Sequence, residues 1–326
     1  MTAKVAIIMR TRDRPVFLRR AIEDVLAQDF QDWQLVIVND GGDPTVVSAE
    51  LARQEKGLAG RVSTIHNATS LGRPAAANRG VAASESTYIV LHDDDDSWAP
   101  EFLSRTTAVL EHAACQDDGV VTRTEMVFED VDPDGIVRER NRVPFWPEIH
   151  EISLLEALIV NHAVPISFLY RRKVHAEIGL YDEGLETVED WEFQLRFLAK
   201  HTIGFLDGAP LAFWHLRPGM SGSTGNSMYE DVLSHRHYDL QVREERLRRW
   251  IEQYGAGLPL MIGLAMRRHG DERAQDLDRY ERELGATRAQ YEDLRQMIER
   301  STLIGRARSA YWKWRNRYTN ARSSGR

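Results

Sequence analysis

Four consecutive carboxylates, Asp93, Asp94, Asp95 and Asp96, are the strongest local signal in this chain of 326 residues. Adjacent acidic side chains repel one another, so a folded chain needs a reason to keep them directly after a short apolar run at 88–91. A divalent cation supplies one, because hard oxygen ligands suit Mg2+ or Mn2+. Such an ion would also bridge a diphosphate and stabilise charge on its leaving oxygen. The competing reading is a solvated acidic loop. Asp40 follows a second apolar run, 35–38, and precedes Gly41-Gly42. A carboxylate there can accept hydrogen bonds from a nucleobase N–H or a ribose hydroxyl, or it can close an Asx turn. Glu189 and Asp190 precede Trp191. They could supply a general base near the metal, or Thr187 could cap a helix with Asp190 completing a capping box.

A frame is needed to bring these residues to one place. Residues 5–9 form a short apolar run suited to a buried parallel strand. Pro15 then suits a first helical turn, and Val16, Leu18, Ala21, Ile22, Val25 and Leu26 recur at near-helical spacing. Runs at 35–38, 62–65 and 88–91 read as further strands, with a small-residue helix at 75–83. This alternation predicts an α/β fold with a mostly parallel sheet flanked by helices. Ligands in such sheets sit at the carboxyl ends of strands, where Asp40 and the aspartate run both fall.

The middle third changes character. Asp132-Pro133-Asp134-Gly135 is a turn signal between 126–128 and 136–137, which predicts a hairpin. Residues 154–160 read as a short helix and 164–170 as a strand. Trp191, Leu195 and Leu198 share a helix face. Residues 203–206 and 211–214 read as a strand pair before a glycine- and serine-rich loop at 217–223. Beyond about Tyr229 the pattern is helical.

In order along the chain, VAIIMRTRDRP (5–15), WQLVIVNDG (33–41), LGRPAAANRG (71–80), the four aspartates with Trp98 and Pro100, and Glu189-Asp190-Trp191 resemble the family 2 inverting glycosyltransferases, which have the GT-A (Rossmann-like) fold. The resemblance covers roughly residues 4–222. It implies a metal-dependent enzyme that moves a sugar from a UDP-, GDP- or dTDP-sugar to a hydroxyl of a glycan or lipid-linked acceptor in cell-surface polysaccharide synthesis. Thr11, Arg12 and Asp13 would line the nucleotide pocket, Asp40 would hold the base, and Arg73 and Asn78 would face the donor. Asp93 and Asp95 match the DXD motif as metal ligands, with Asp94 near the ribose. Asp190 would be the catalytic base, with Glu189 and Trp191 toward the acceptor. The family usually has proline and an aromatic where this chain has Arg10 and Arg12; arginine can still stack on a base. It often has a histidine at the position of Arg217, whereas here His215 lies two residues earlier, and either could meet the metal or the diphosphate. The alternatives are a sugar-nucleotide pyrophosphorylase, which would normally carry a glycine-rich loop where residues 10–14 have none, and a non-catalytic scaffold, against which the intact acidic motifs speak.

The resemblance divides the chain into a catalytic domain at 1–228, with a nucleotide-sugar half at about 1–100 and an acceptor half at about 101–228, and a helical extension at 229–326. The formal charge of −8 and pI near 5.8 do not suggest a nucleic-acid partner. A single cysteine, Cys115, excludes an internal disulfide and fits a reducing compartment. No signal-peptide pattern and no window of 18 apolar residues stand out, so a cytoplasmic location is expected. Residues 301–326 carry seven basic and no acidic side chains, interleaved with Tyr311, Trp312, Trp314 and Tyr318. Such a tail suits peripheral contact with an anionic membrane face, or else is a plain basic tail. Leu277, Tyr280, Leu284, Thr287, Tyr291, Leu294 and Ile298 step by three and four, a heptad seam that could join two copies of the chain as a homo-oligomer or pack back on the domain.

Overall fold

Strand β1 (Ala3–Thr11) is buried at seven of its nine positions, as a central strand covered on both faces must be. In the computed structural model, which describes residues 2–323 apart from 59, 133, 227–231 and 302, β1 pairs in parallel with β2 (Trp33–Asp40) on one side and β4 (Ser86–Asp93) on the other. Strand β3 (Val62–Asn67) extends the sheet beyond β2. The full seven-stranded order is completed by β9 (Phe168–Arg171), β6 (Gly119–Thr122) and β10 (Ile203–Leu206) outside β4. Only β9 runs antiparallel to its neighbours. The α/β fold with a mostly parallel sheet is therefore the one read from the strand–helix alternation.

The two faces of β1 build two cores. Val5, Ile7 and Met9 face Leu18, Ile22 and Val25 of α1 (Pro15–Leu26). Ala6 and Ile8 face Ala76, Ala77 and Val81 of α4 (Arg73–Ala82), in a cluster that also takes Phe193 and Phe197 of α8 (Glu189–Leu198). Pro15 and Pro74 sit in the first turns of α1 and α4, where a missing N–H costs nothing.

A second sheet orders β5 (Ser97–Trp98), β11 (Ala212–Leu216), β7 (Thr124–Val131) and β8 (Val137–Pro144). The hairpin expected around 132–135 is β7–β8, with a bulge between Phe128 and Glu129; Pro133 lies outside the described residues. Two expectations need correction. Residues 164–170 are not all strand: Pro165–Ser167 form a 3-10 turn, closed by Ser167 Oγ donating to the Val164 carbonyl, and β9 begins only at Phe168. The segments at 203–206 and 211–214 do not pair. β10 pairs with β6 in the large sheet, and β11 with β7 in the small one. Two of the passages from the large sheet to the small one lie at Arg123 and at Asp207–Gly208, and the Arg123 guanidinium grips Asp207 to hold them side by side. Gly208, at φ +119°, allows the second.

The chain forms two compact units, Met1–Glu245 and Arg246–Arg326. The boundary expected at 228/229 falls outside the described residues. Helix α9 (Val232–Tyr254) belongs to the first unit through Glu245, and its Val242 packs with Leu185 and Trp191. The second unit is helical, with α10 (Gly257–Ser301) and α11 (Leu303–Ser323). The heptad residues lie on α10 and are exposed, from Ile298 at 56% to Tyr291 at 70%. Of the tail, Arg317, Tyr318, Arg322 and Arg326 lie outside the residues whose side chains are described. Among the described residues no helix is long and apolar enough to cross a membrane.

Close packing of α4 on the sheet rests on Gly80, where an added Cβ would overlap Ile8 Cγ2 and crowd Val38. Gly80→Val should therefore destabilise the fold by about 2 kcal/mol or more. A lower denaturant midpoint with an unchanged m-value would show it; an unchanged midpoint would mean that α4 can back away from the sheet.

Candidate active site

The carboxyl ends of β1, β2 and β4 open on a cleft of about 990 Å³ within the first unit. Its lining combines Arg10 to Arg14, Asp40, Arg73, Asp93 to Asp96 and Glu189 to Trp191 with the aromatic side chains of Phe145, Trp146 and Trp214. Helix α9 adds His235, Asp239 and Arg243, so residues assigned by sequence to the extension line the cleft too.

Arginine holds the aspartate run in place. Arg10 donates in a bidentate fork to Asp93, with both bonds at 2.8 Å. Asp94 accepts from Thr11 Oγ1 at 2.6 Å and Arg14 Nη1 at 3.2 Å. Asp95 accepts from Arg14, from Arg217 and, at 3.1 Å, from Asn226 Nδ2. The Asp96 carboxylate takes the backbone N–H of His215 at 2.9 Å. Burial alone would push Asp95 up, but Arg14 and Arg217 override it and hold Asp95 below the ordinary carboxylate range. Asp94 and Asp96 answer the crowding by binding protons more tightly. Burial, opposed by Arg14 and reinforced by the charge of Asp95, pushes Asp94 up to about 6, and Asp96 rises well above its ordinary value. Three guanidiniums thus answer the repulsion among the four carboxylates.

Glu129, which the sequence did not single out, stands behind this cluster. It is 3% exposed on β7, and it accepts from Arg20, from Arg217 Nη1 at 3.0 Å and from His215 Nδ1 at 2.6 Å. Burial would raise its carboxyl, but His215 and Arg20 bring it down to about 2. Burial in turn lowers the His215 imidazole, which stays neutral at pH 7. Nδ1–H then donates to Glu129, and Nε2 is left to accept from Ser97 Oγ at 2.7 Å. Glu129 sits at the Phe128/Glu129 bulge of β7, a feature of the strand pairing that nothing in the local sequence marks.

At the opposite wall, Val188 holds φ +60°, a left-handed conformation costly for a β-branched residue, and launches α8 without a side-chain cap. The capping box expected of Thr187 is absent: its buried hydroxyl has no hydrogen-bond partner among the described residues. Glu189 pairs with Arg10 at 3.0 Å and Arg73 at 3.4 Å. Those two cations override its burial and keep it ionised. Asp190 instead accepts from Asn161 Nδ2 at 2.8 Å. Burial and then the neighbouring Glu189 charge push Asp190 up to about 6. Trp191 forms a wall, donating Nε1–H to the Ala157 carbonyl at 2.6 Å beneath the Arg243 guanidinium.

The remaining expected residues divide. Asp40 is saturated by Asn67, Ser70 and the backbone N–H groups of Leu71 and Gly72, which lower its pKa despite burial. It shapes the 67–72 loop instead of closing an Asx turn on Gly41-Gly42. Arg12 and Asp13 are exposed on the cleft edge, and Asp13, at φ +53°, accepts from the Asp43 N–H at 2.7 Å. Asn78 does not reach the cleft. It donates to Tyr181 and Glu183 and accepts from the Tyr181 N–H, which ties α4 to that loop. His215 is not placed as a metal ligand, because both ring nitrogens already serve Glu129 and Ser97.

Asp93 and Asp95 do suit an ion. Both offer hard carboxylate oxygens to the cleft, as Mg2+ or Mn2+ prefer. Among the described residues no three His, Cys, Asp or Glu side chains form a cluster that could hold an ion alone. One or two carboxylates completed by substrate phosphates and water are, however, the usual Mg2+ arrangement.

Arg217 is fully buried and bridges Asp95 and Glu129. Arg217→Met would strand two buried carboxylates and should cost about 3–5 kcal/mol. Equilibrium unfolding of the variant checks this, and a loss under 1 kcal/mol would show that water or Arg14 takes its place.

The model of the Glycosyl transferase family 2 matches residues 6–179. The uncharacterized glycosyltransferase YwdF of Bacillus subtilis (strain 168) is 27% identical over 239 residues, covering 72% of this chain and 84% of that protein. WcaA of Escherichia coli (strain K12), a glycosyl transferase named for colanic acid biosynthesis, is 30% identical over 206 residues, covering 60% and 67%. Among solved structures, S. aureus TarS 1-349 in complex with UDP-GlcNAc aligns at TM-score 0.55 and 18% identity, covering 78% of this chain and 75% of that one. The mannosyltransferase PcManGT from Pyrobaculum calidifontis, in complex with GDP-Man and Mn2+, aligns at TM-score 0.53 and 14% identity, covering 76% and 65%. These two share the GT-A fold with the chain. With the acidic cleft at the strand ends and the family model spanning more than half of its length, the chain belongs to glycosyl transferase family 2 and is a glycosyltransferase.

Proposed function

We propose that this enzyme moves a sugar from a UDP-, GDP- or dTDP-sugar to a hydroxyl of a glycan or lipid-linked acceptor by a single inverting displacement, with Asp190 as the base. One observation carries the reading: a single cleft is lined by Asp40, by Asp93 to Asp96 and by Asp190. The names of WcaA, TarS and PcManGT support a glycan product and a nucleotide-sugar donor.

In this mechanism the β1 end and the Asp40-shaped loop receive the nucleotide. Asp95, kept ionised by Arg14 and Arg217, would with Asp93 hold a Mg2+ or Mn2+ ion, which when bound supplies positive charge beside the departing diphosphate. Asn161 fixes one oxygen of Asp190, leaving the carboxylate to accept the acceptor hydroxyl's proton. The acceptor oxygen then attacks the anomeric carbon, and the carbon–oxygen bond to the diphosphate breaks with its electron pair on the leaving group. A carboxyl raised to about 6 is still mostly ionised at pH 7 yet more basic than an ordinary aspartate. The buried Glu189 charge that raises it is itself kept by Arg10 and Arg73.

Asp190→Asn should lower kcat by about 10²-fold or more with the fold intact. For the wild type, kcat/KM should climb with pH through an apparent pKa of about 6, because the protonated form below it cannot accept a proton. A flat profile between pH 5 and 8 would remove Asp190 from this role. For the metal, Asp95→Asn should abolish transfer and weaken donor binding in Mn2+, and EDTA should do the same to the wild type. Full activity in excess EDTA would assign the diphosphate to arginine alone.

A further inference from the structure

The opening turns of α10 carry an apolar surface that the cleft does not use. From 257 to 266 the sequence reads GLPLMIGLAM, without one charged or hydrogen-bonding side chain. Leu258, Leu260, Met261, Ile262, Leu264 and Met266 are all exposed, between 43% and 71%. They do not form a stripe. At about 100° per residue, Leu258, Ile262 and Met266 occupy one side of the helix, Leu260 and Leu264 lie roughly opposite, and Met261 falls between. Gly263 and Pro259 fill the remaining arc. A partner helix covers one stripe and would leave the other side in water; a segment apolar all round calls for an apolar phase on every side. The heptad face further along the same helix, with charged residues behind it, shows the contrasting one-sided pattern.

The flanks specify the phase. Between 246 and 268, Arg246, Arg248, Arg249, Arg267 and Arg268 stand against one acid, Glu252. Trp250 and Tyr254 lie just before the apolar run with rings 5.4 Å apart, and Tyr254 is 64% exposed. Arginines on both sides of the apolar run, with two aromatic rings before it, match anionic headgroups and the headgroup boundary. Ten residues of helix reach about 15 Å, half the hydrocarbon thickness of a bilayer, so the segment is too short to cross.

We infer that residues 257–266 insert into the surface of an anionic lipid bilayer and hold the enzyme there. This contact is separate from the basic helix α11, and it stands whatever reaction the cleft performs.

The full chain is sedimented with vesicles of 3:1 phosphatidylcholine and phosphatidylglycerol, as wild type and as the double variant Leu260→Glu, Ile262→Glu. Both positions are exposed, so circular dichroism should be unchanged. Partitioning should fall by about 100-fold or more, since two apolar side chains are lost from the lipid and two negative charges are added. A polarity-sensitive dye on Met261→Cys, in a Cys115→Ser background, should shift to the blue with these vesicles. Three results would each overturn the inference: no vesicle binding by the wild type; equal binding by the double variant, which would leave α11 as the anchor; or a dye shift that follows protein concentration without lipid, which would place the segment against a second copy of the chain.

Discussion

The buried fork of Arg217 between Asp95 and Glu129 is the contact on which the aspartate side of the cleft depends. Asp95 follows the last strand of the central parallel group, whereas Glu129 and Arg217 come from the small sheet. A cation with no exposed surface thus ties the two sheets together at the rim of the site. Its geometry needs a planar guanidinium, because an ammonium cannot present two directed N–H pairs to two carboxylates. Phe17 of α1 packs 4.3 Å beneath the same guanidinium, and Arg20 of α1 completes the shell around Glu129. Helix, large sheet and small sheet therefore converge on one buried ionic knot, whose desolvation is offset only because every partner is present.

That knot organises proton affinity across the cleft. Asp95 and Glu129, bathed in arginine, stay ionised at the low end of the carboxylate range, whereas Asp94 and Asp96, equally buried but less well paired, are driven upward. The same division recurs on the far wall. Glu189 receives both cations, Arg10 and Arg73, and Asp190 receives an amide and its neighbour's negative charge. Pairs of carboxylates pushed apart in this way are how one site holds a fixed charge and a proton acceptor together. Arg10 links the two walls, since it touches Asp93 and Glu189 at once.

The second unit follows a different logic. The first unit buries most of its apolar residues, chiefly in two clusters on either face of one sheet, whereas 257–266 and the heptad face of α10 keep theirs exposed. Outward apolar surface of this extent marks a place of contact.

Periodicity and turn chemistry made much of this protein legible in its sequence. Continuous apolar runs announced the parallel strands, Pro15 announced the start of α1, and Asp132 to Gly135 announced the β7–β8 hairpin, because each is a local steric or hydrophobic preference. The clustering of Asp40 and Asp93 to Asp96 at one cleft was also legible, since carboxyl ends of parallel strands share a rim, whereas Asp190, in the first turn of a helix, was joined to them only by the family resemblance. What only the tertiary structure decided was pairing across distance. Residues 203–206 and 211–214 look like a hairpin locally, yet each follows a partner strand into a different sheet. Asn78 and His215 have the chemistry of ligands, but contacts distant in sequence consume their polar atoms. Glu129 and Asn161 are unremarkable in sequence and became central because folding placed a guanidinium against one and a carboxylate against the other. Hydrophobic pattern is local and can be read along the chain, whereas the partner of a buried charge is set by which segments the fold brings within about 3 Å.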